Sequence, residues 1–327
     1  MDRRDFLKFS AAAAAFACLA PPAVAEMRNG MPYRTLGKTG ENVSLLCLGG
    51  AHIGFKPLTD EQSIALMRHA VDEGVNFFDN AWAYNDGRSE ILMGRALKDG
   101  YREKVFLMTK HQGRDAATAQ EFLDTSLKRL DVDVIDLWQF HEVVHPKDPG
   151  RIYSEGALEV ALRAKEQGKI RYIGFTGHHL TSTHLEMIEK GFAWDTVQMP
   201  LNIFDYHFRS FQQKVVPAAV EKNMGIIAMK TMGGGGLLES QAVTPEECLR
   251  YAMNLPVSTV CSGMDSMEKL KKNIATAKSF KPLGEPEVAA LREKAKALAA
   301  DGKYEAYKTA WHLDMQEEMK EQGLAIS

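Results

Sequence analysis

The chain has 327 residues, 45% of them hydrophobic and 25% charged, with a formal net charge of -3 at pH 7. This is the composition of an ordinary globular protein with ample material for a core, and it excludes a fibrous or low-complexity chain. Lys and Arg are spread along the sequence, so there is no basic footprint for nucleic acid and no basic membrane face. At this length the chain holds either two average domains or one closed α/β barrel.

Residues 1–25 read as a leader to be set apart from the fold. Arg3-Arg4-Asp5-Phe6-Leu7-Lys8, the apolar run Ala11 to Ala20 and Ala23-Val24-Ala25 supply, in order, a basic segment, an apolar stretch and an A-x-A cleavage site. The paired arginines followed by Phe-Leu-Lys resemble the twin-arginine export signal, with Asp2 standing where that signal usually has Ser or Thr. The resemblance implies passage of the folded protein through the twin-arginine translocation machinery, cleavage after Ala25 and a periplasmic mature chain of residues 26–327, with no stable membrane anchor. Cys18 lacks the aliphatic residue that a lipid-anchoring motif wants three places earlier. Outside the leader only Cys47, Cys248 and Cys261 remain. Their odd number and wide spacing give no disulfide framework and no zinc spacing, so they read as small core hydrophobes and no metal is expected.

Tyr33 to Ser44 contains two short strands about a Gly-containing turn, a hairpin. A unit of apolar strand, polar loop and amphipathic helix then repeats eight times. The strands expected are Leu45 to Gly49, Asn76 to Phe78, Val105 to Thr109, Val134 to Phe140, Ile170 to Phe175, Thr196 to Met199, Gly225 to Met229 and Val257 to Cys261. The helices start near Asp60, Ser89, Asp115, Ser154, Thr181, Phe211, Thr244 and Ser266. Thr59-Asp60-Glu61-Gln62 resembles a capping box, and Thr244-Pro245 puts Pro at a first helical position. Strands apolar on both faces and alternating with helices require a parallel sheet covered by helices, and eight such units close into a (β/α)8 TIM barrel. A doubly wound open sheet is the alternative, but Leu48 to Gly54 lacks the G-x-G-x-x-G expected after its first strand. From about residue 285 a charged helix and a polar helical tail to Ser327 form a C-terminal extension of the single domain, packed outside the barrel or over one rim.

Barrel sites lie at the C-terminal strand ends, where this chain carries chemistry. Asp79 ends the second strand, Lys110 the third and His141 the fourth, with Tyr84 on the loop after Asp79. An Asp there needs a cation, because Asp is rarely buried unpaired. Adjacent strands lie about 5 Å apart, so the four side chains can converge.

In these residues the chain resembles the aldo-keto reductases, over the whole barrel from about Tyr33 to Phe280. Asp79 and Tyr84 in a D-x4-Y step, Lys110 and His141 match that family's catalytic tetrad one by one. The resemblance implies reduction of aldehyde or ketone carbonyls by hydride transfer, with Tyr84 as general acid. The residue types suit the task. Tyr has an ordinary pKa of about 10, and an ammonium at about 4 Å with an effective dielectric of about 20 favours the phenolate by about 4 kcal/mol. Asp79 would keep Lys110 charged, and His141 would donate to the substrate oxygen.

No side chain supplies hydride, so a cofactor is required. The resemblance implies NADP(H) or NAD(H) across the strand ends, with NADP(H) favoured. It would lie against Gly50, Asp79, Thr176, Gly177, Gln198, Met229, Gly233, Gly234, Ser262, Gly263, Lys269 and Asn273. Three positions depart from the family pattern. Met229 stands where an aromatic commonly stacks on the nicotinamide, Lys230 replaces a small residue, and Lys269 replaces the Arg that grips the 2′-phosphate, with Asp265 close enough to repel one. His52, Trp82 and His111 flank the site as candidate pocket residues, and Cys47 and Cys261 lie on strands that become neighbours on closure, where a disulfide could form. A non-catalytic nucleotide-binding or redox-sensing barrel is the alternative function. A metal-dependent hydrolase lacks its His/Asp cluster. Substrate and oligomeric state leave no mark in the sequence.

Overall fold

The computed structural model describes residues 21–55 and 58–309. The twin-arginine segment to residue 20 and the helical tail expected beyond residue 309 lie outside the described residues. Three short antiparallel strands come first, β1 (Glu26–Arg28), β2 (Met31–Thr35) and β3 (Asn42–Ser44). The hairpin expected from Tyr33 to Ser44 is therefore part of a three-stranded sheet, with β1 added at its edge.

Eight parallel strands then close a barrel: β4 (Leu46–Gly49), β5 (Phe77–Asp79), β6 (Phe106–His111), β7 (Ile135–Phe140), β8 (Ile170–Thr176), β9 (Thr196–Pro200), β10 (Gly225–Met229) and β11 (Thr259–Gly263). Each pairs with its neighbours in sequence order, and β11 closes the ring on β4. Side chains alternate across a strand, so each strand serves two layers. Cys47, Phe77, Phe106, Met108, Leu137 and Ile227 point inward and share one core. Leu46, Leu48, Phe78, Leu107, Trp138 and Phe140 point outward and are covered by the helices. This double burial is why the strands read as continuous apolar runs.

The leading sheet plugs one end of the barrel. Leu36 and Val43 join the inner core, and Arg34, 1% exposed, donates to the carbonyls of Val257 and Met253 at 2.9 Å each. Burial draws the Arg34 pKa down to about 10. Several helix starts follow local chemistry. Thr59 Oγ1 accepts from Gln62 N while Gln62 Oε1 accepts from Thr59 N, and Thr244 and Glu247 form the same reciprocal cap ahead of Pro245. Two helical segments differ from expectation. The segment expected near Ser154 is two helices, Asp148–Ser154 and Ala157–Glu166, separated at Gly156 with φ 92°. The one starting at Phe211 breaks at Val215, ahead of Pro217. The helix Glu285–Ala299 packs outside the barrel through Leu291, Ala295 and Ala299. Among the described residues no helix is long and apolar enough to cross a membrane.

Candidate active site

The C-terminal ends of β5, β6 and β7 bring the four residues of the tetrad together. Asp79 is the last residue of β5, in register with Gly49 of β4 and Met108 of β6, and Lys110 stands opposite Gln139 of β7. Lys110 points into the barrel, while its neighbours Thr109 and His111 face the helices. Its Nζ donates to Asp79 Oδ1, to the Asn80 carbonyl at 2.5 Å and to the Tyr84 hydroxyl at 3.2 Å. The two charged side chains are only 1% and 3% exposed. Asp79 Oδ2 accepts from Gln198 Nε2 at 2.8 Å and from Cys261 Sγ at 3.0 Å. The buried carboxylate thus has the cation and donors that its position demands.

Tyr84 sits on a tight loop. Asn85 and Asp86 have φ of 53° and 54° and Gly87 follows at 83°, three consecutive residues in the left-handed region, which is unfavourable for the two that carry side chains. Asn85 Nδ2 holds this turn by donating to the Ala51 carbonyl at 2.8 Å and Ser89 Oγ at 2.9 Å. The Tyr84 ring meets His141 edge-on, with centroids 5.7 Å apart at 83°. Burial pushes the Tyr84 phenol up, and the Lys110 ammonium opposes that shift. Burial would lower Lys110, but Asp79 and Tyr84 outweigh it and hold the ammonium charged. Burial lowers the His141 pKa to about 3, so the imidazole is neutral at pH 7.

The residues expected on the cofactor side surround the same strand ends. Gln198 Oε1 is buried with no hydrogen-bond partner among the described residues. Thr176 Oγ1 contacts Met229 Sδ at 3.9 Å. A Cβ at Gly177 would lie 2.5 Å from the Val143 carbonyl oxygen, and one at Gly50 would lie 2.4 Å from that of Asp79. The backbone therefore approaches closely at both strand ends. Gly233 and Gly234 open a left-handed turn, and a Cβ at Gly234 would meet nothing within 4 Å. Asn273 Nδ2 donates to Ser262 Oγ at 3.1 Å. Lys269, expected to face a phosphate, pairs with Asp265 at 2.8 Å.

The three candidate pocket residues have other neighbours. His111 is a correction: it is fully buried, stacked on Trp138 at 3.8 Å between ring centroids, because the residue after an inward-facing Lys110 must face outward. Trp82 is half-buried on the loop that carries Tyr84. Its faces are engaged by Phe122 at 4.1 Å and Arg129 at 4.8 Å, which anchor the loop on the helix Ala116–Leu130. The His52 ring packs at a 47° tilt against Phe55, with centroids 4.9 Å apart, and lies against Gly263, on the cofactor side of the strand ends. Cys47 and Cys261 are opposite each other in β4 and β11 and are free thiols. With Asp79 they place three ligand-type atoms within 4.8 Å of one another, a grouping invisible in the sequence, although Asp79 is already engaged by Lys110 and Gln198. The Asn80 carbonyl and the Cys261 thiol were not anticipated as site groups; Asn80 directly follows Asp79, a local signal, whereas Cys261 is 182 residues from it.

A model of the aldo/keto reductase family matches residues 45–247, and a model of the TAT (twin-arginine translocation) pathway signal sequence matches residues 1–20. The uncharacterized oxidoreductase YrpG of Bacillus subtilis is 33% identical over 247 residues, covering 68% of this chain and 72% of that protein. Aldo-keto reductase AKR11C1 from Bacillus halodurans, in its holo form, superposes with a TM-score of 0.69 at 25% identity, covering 84% of this chain and 99% of its own. An aldo/keto reductase from Klebsiella pneumoniae in complex with NADP and acetate shares the fold, with a TM-score of 0.67 at 20% identity, covering 80% and 94% of the two chains. With its tetrad, its closed (β/α)8 barrel and these matches, the chain belongs to the aldo/keto reductase family and carries a twin-arginine signal sequence at its N-terminus.

Proposed function

We propose that this protein reduces aldehyde or ketone carbonyls to alcohols with a nicotinamide nucleotide, using Tyr84 as general acid. The observation that carries the reading is the Lys110 ammonium held between Asp79 and the Tyr84 hydroxyl in a buried site, with His141 edge-on to the same tyrosine. Burial alone makes Tyr84 a weaker acid, and Lys110 is the group that counters this. Asp79 holds Lys110 in place and charged. His141, neutral across the working pH range, can donate to a carbonyl oxygen without bringing a second positive charge beside Lys110.

The cofactor fit rests on the unsatisfied Gln198 Oε1, since a buried acceptor left without a donor is costly and a carboxamide N–H would satisfy it. Thr176 and Ser262 offer hydroxyls at the same strand ends, and in the Gly233–Gly235 turn, where the N–H groups of Gly233 and Gly235 already donate to the Lys230 and Met232 carbonyls, Gly234 is the residue whose N–H can face a diphosphate. A bound nicotinamide would supply the hydride. NADP(H) is favoured over NAD(H) only through Lys269, whose pairing with Asp265 weakens that preference.

We further propose that the chain is exported folded to the periplasm and cleaved after Ala25, leaving residues 26–327 as one barrel domain with its C-terminal extension. Loading of the nucleotide before export would reconcile a nicotinamide enzyme with that compartment. The test of the activity is a carbonyl screen with both nucleotides and Tyr84→Phe as control. Tyr84→Phe should lose about 10²- to 10⁴-fold in rate while still binding nucleotide. A Tyr84→Phe enzyme that keeps most of the rate would overturn the assignment. N-terminal sequencing of the exported protein tests the cleavage point.

A further inference from the structure

Arg114 lies outside the tetrad, yet its side chain is only 1% exposed. Its guanidinium spreads over four acceptors: Nε donates to Asp148 Oδ1 at 3.2 Å, Nη1 to the Gln112 carbonyl at 2.9 Å, and Nη2 to the carbonyls of His141 at 2.8 Å and Glu142 at 3.0 Å. Asp148 Oδ2 in turn accepts from the backbone N–H groups of Val144 and His145, both at 2.9 Å. The corner that follows β7 is thus gripped by its carbonyls from one side and by its amides from the other. Glu142 has φ 51°, a left-handed conformation that a side-chain-bearing residue adopts only when its surroundings impose it.

His141 needs such a grip. A histidine ring is commonly oriented by a hydrogen bond at the nitrogen turned away from its substrate. Here Nδ1 is buried with no partner among the described residues. The ring direction therefore comes from the backbone beneath it. The backbone N–H of His141 is fixed by the His111 carbonyl at 2.7 Å, and its carbonyl is fixed by Arg114.

We infer that Arg114 is the positioning residue for His141: through the carbonyls of His141 and Glu142 it sets the turn that aims the imidazole at the carbonyl-binding point beside Tyr84. The inference rests on the reading of His141 as the orienting donor. An ammonium is a point charge and cannot span four acceptors in a planar fork, so Arg114→Lys keeps a cation beside Asp148 while releasing the corner.

The test compares Arg114→Lys with the unaltered full-length enzyme. Nucleotide affinity, read by fluorescence titration with NADPH and NADH, should stay within about twofold, since no part of Arg114 faces the cofactor side, whereas kcat/KM for the carbonyl should fall about 10- to 100-fold with KM raised as well as kcat lowered. A merely structural role would reduce the active fraction and leave KM unchanged. In a His141→Ala background Arg114→Lys should change kcat/KM by less than about threefold, because both changes remove one function. Equal losses in the two backgrounds, or an unchanged KM in Arg114→Lys, would overturn the inference. A His141→Ala enzyme of full activity would instead overturn the reading of the site. Should Arg114→Lys fail to fold, Asp148→Asn, which loosens the same grip, is held to the same criteria.

Discussion

Replacing Lys110 with Met removes the ammonium at roughly constant volume, and its consequences can be sized from the geometry. Asp79 would keep Gln198 and Cys261 as donors but lose its cation in a site where its side chain is 3% exposed. Removing one partner of a buried ion pair costs about 3–5 kcal/mol, and the two surviving donors place this case near the lower end, about 3 kcal/mol. At about 2–4 °C per kcal/mol for a large domain, the melting temperature should fall by roughly 6–12 °C. The chemical effect is separate. Lys110 Nζ lies 3.2 Å from the Tyr84 hydroxyl, and at an effective dielectric of about 20 its attraction for a phenolate is at most about 5 kcal/mol. Losing it should slow the reaction by as much as about 5 × 10³-fold, since every 1.36 kcal/mol is a factor of about ten. Thermal melts and the absorbance of reduced nicotinamide during carbonyl reduction read the two effects independently. The double variant Asp79→Asn/Lys110→Met should recover most of the stability and none of the rate. A single variant that melts within about 2 °C of the parent and turns over within about tenfold of it would refute both the buried pair and the tuning of Tyr84.

The pH dependence of stability follows from buried histidines. Burial lowers the pKa of His141 to about 3 and of His184 to about 4, and takes His111 well below its ordinary value. Their folded-state pKa values lie below the unfolded one of about 6.5, so the stability they contribute is present above that pH and is lost as pH falls below it, by about 2 kcal/mol for each histidine at pH 5. Urea midpoints at pH 7 and pH 5 measure the drop, and His184→Leu should shrink it by one such share; an unchanged drop in that variant would count against the argument. Freeing Lys269 by Asp265→Ser removes an exposed ion pair at 2.8 Å and should tighten NADPH by about two- to fivefold while leaving NADH nearly unchanged, as isothermal titration would show. Gly50→Ala would place a methyl group 2.4 Å from the Asp79 carbonyl oxygen, so about 1–3 kcal/mol of stability and much of the activity should go together; a melt and rate matching the parent would show that this strand end can yield.

The barrel was legible because its cause is local. A strand buried on both faces must be apolar along its length, and the eight such runs appear in the sequence within a few residues of β4 to β11. Asp79, Lys110 and His141 were legible for a related reason, each being a polar residue at the end of an apolar run, and Tyr84 because it follows Asp79 closely on one loop. His111 was misplaced because nearness to Lys110 along the chain says nothing about the face on which a side chain emerges. What ring closure decides lay beyond the sequence. Gln198 is 119 residues from Asp79 and Cys261 is 182, and both reach its carboxylate only because β9 and β11 return to the same rim. Arg114 carries no sequence signal, since three of its four acceptors are backbone carbonyls, which every residue has, and the fourth, Asp148, lies 34 residues away. Residue type and spacing along the chain therefore determined which chemistry this protein can hold. The partners of that chemistry, and the direction in which each side chain points, depended on strands brought side by side from distant parts of the sequence, where burial makes every unpaired polar group costly.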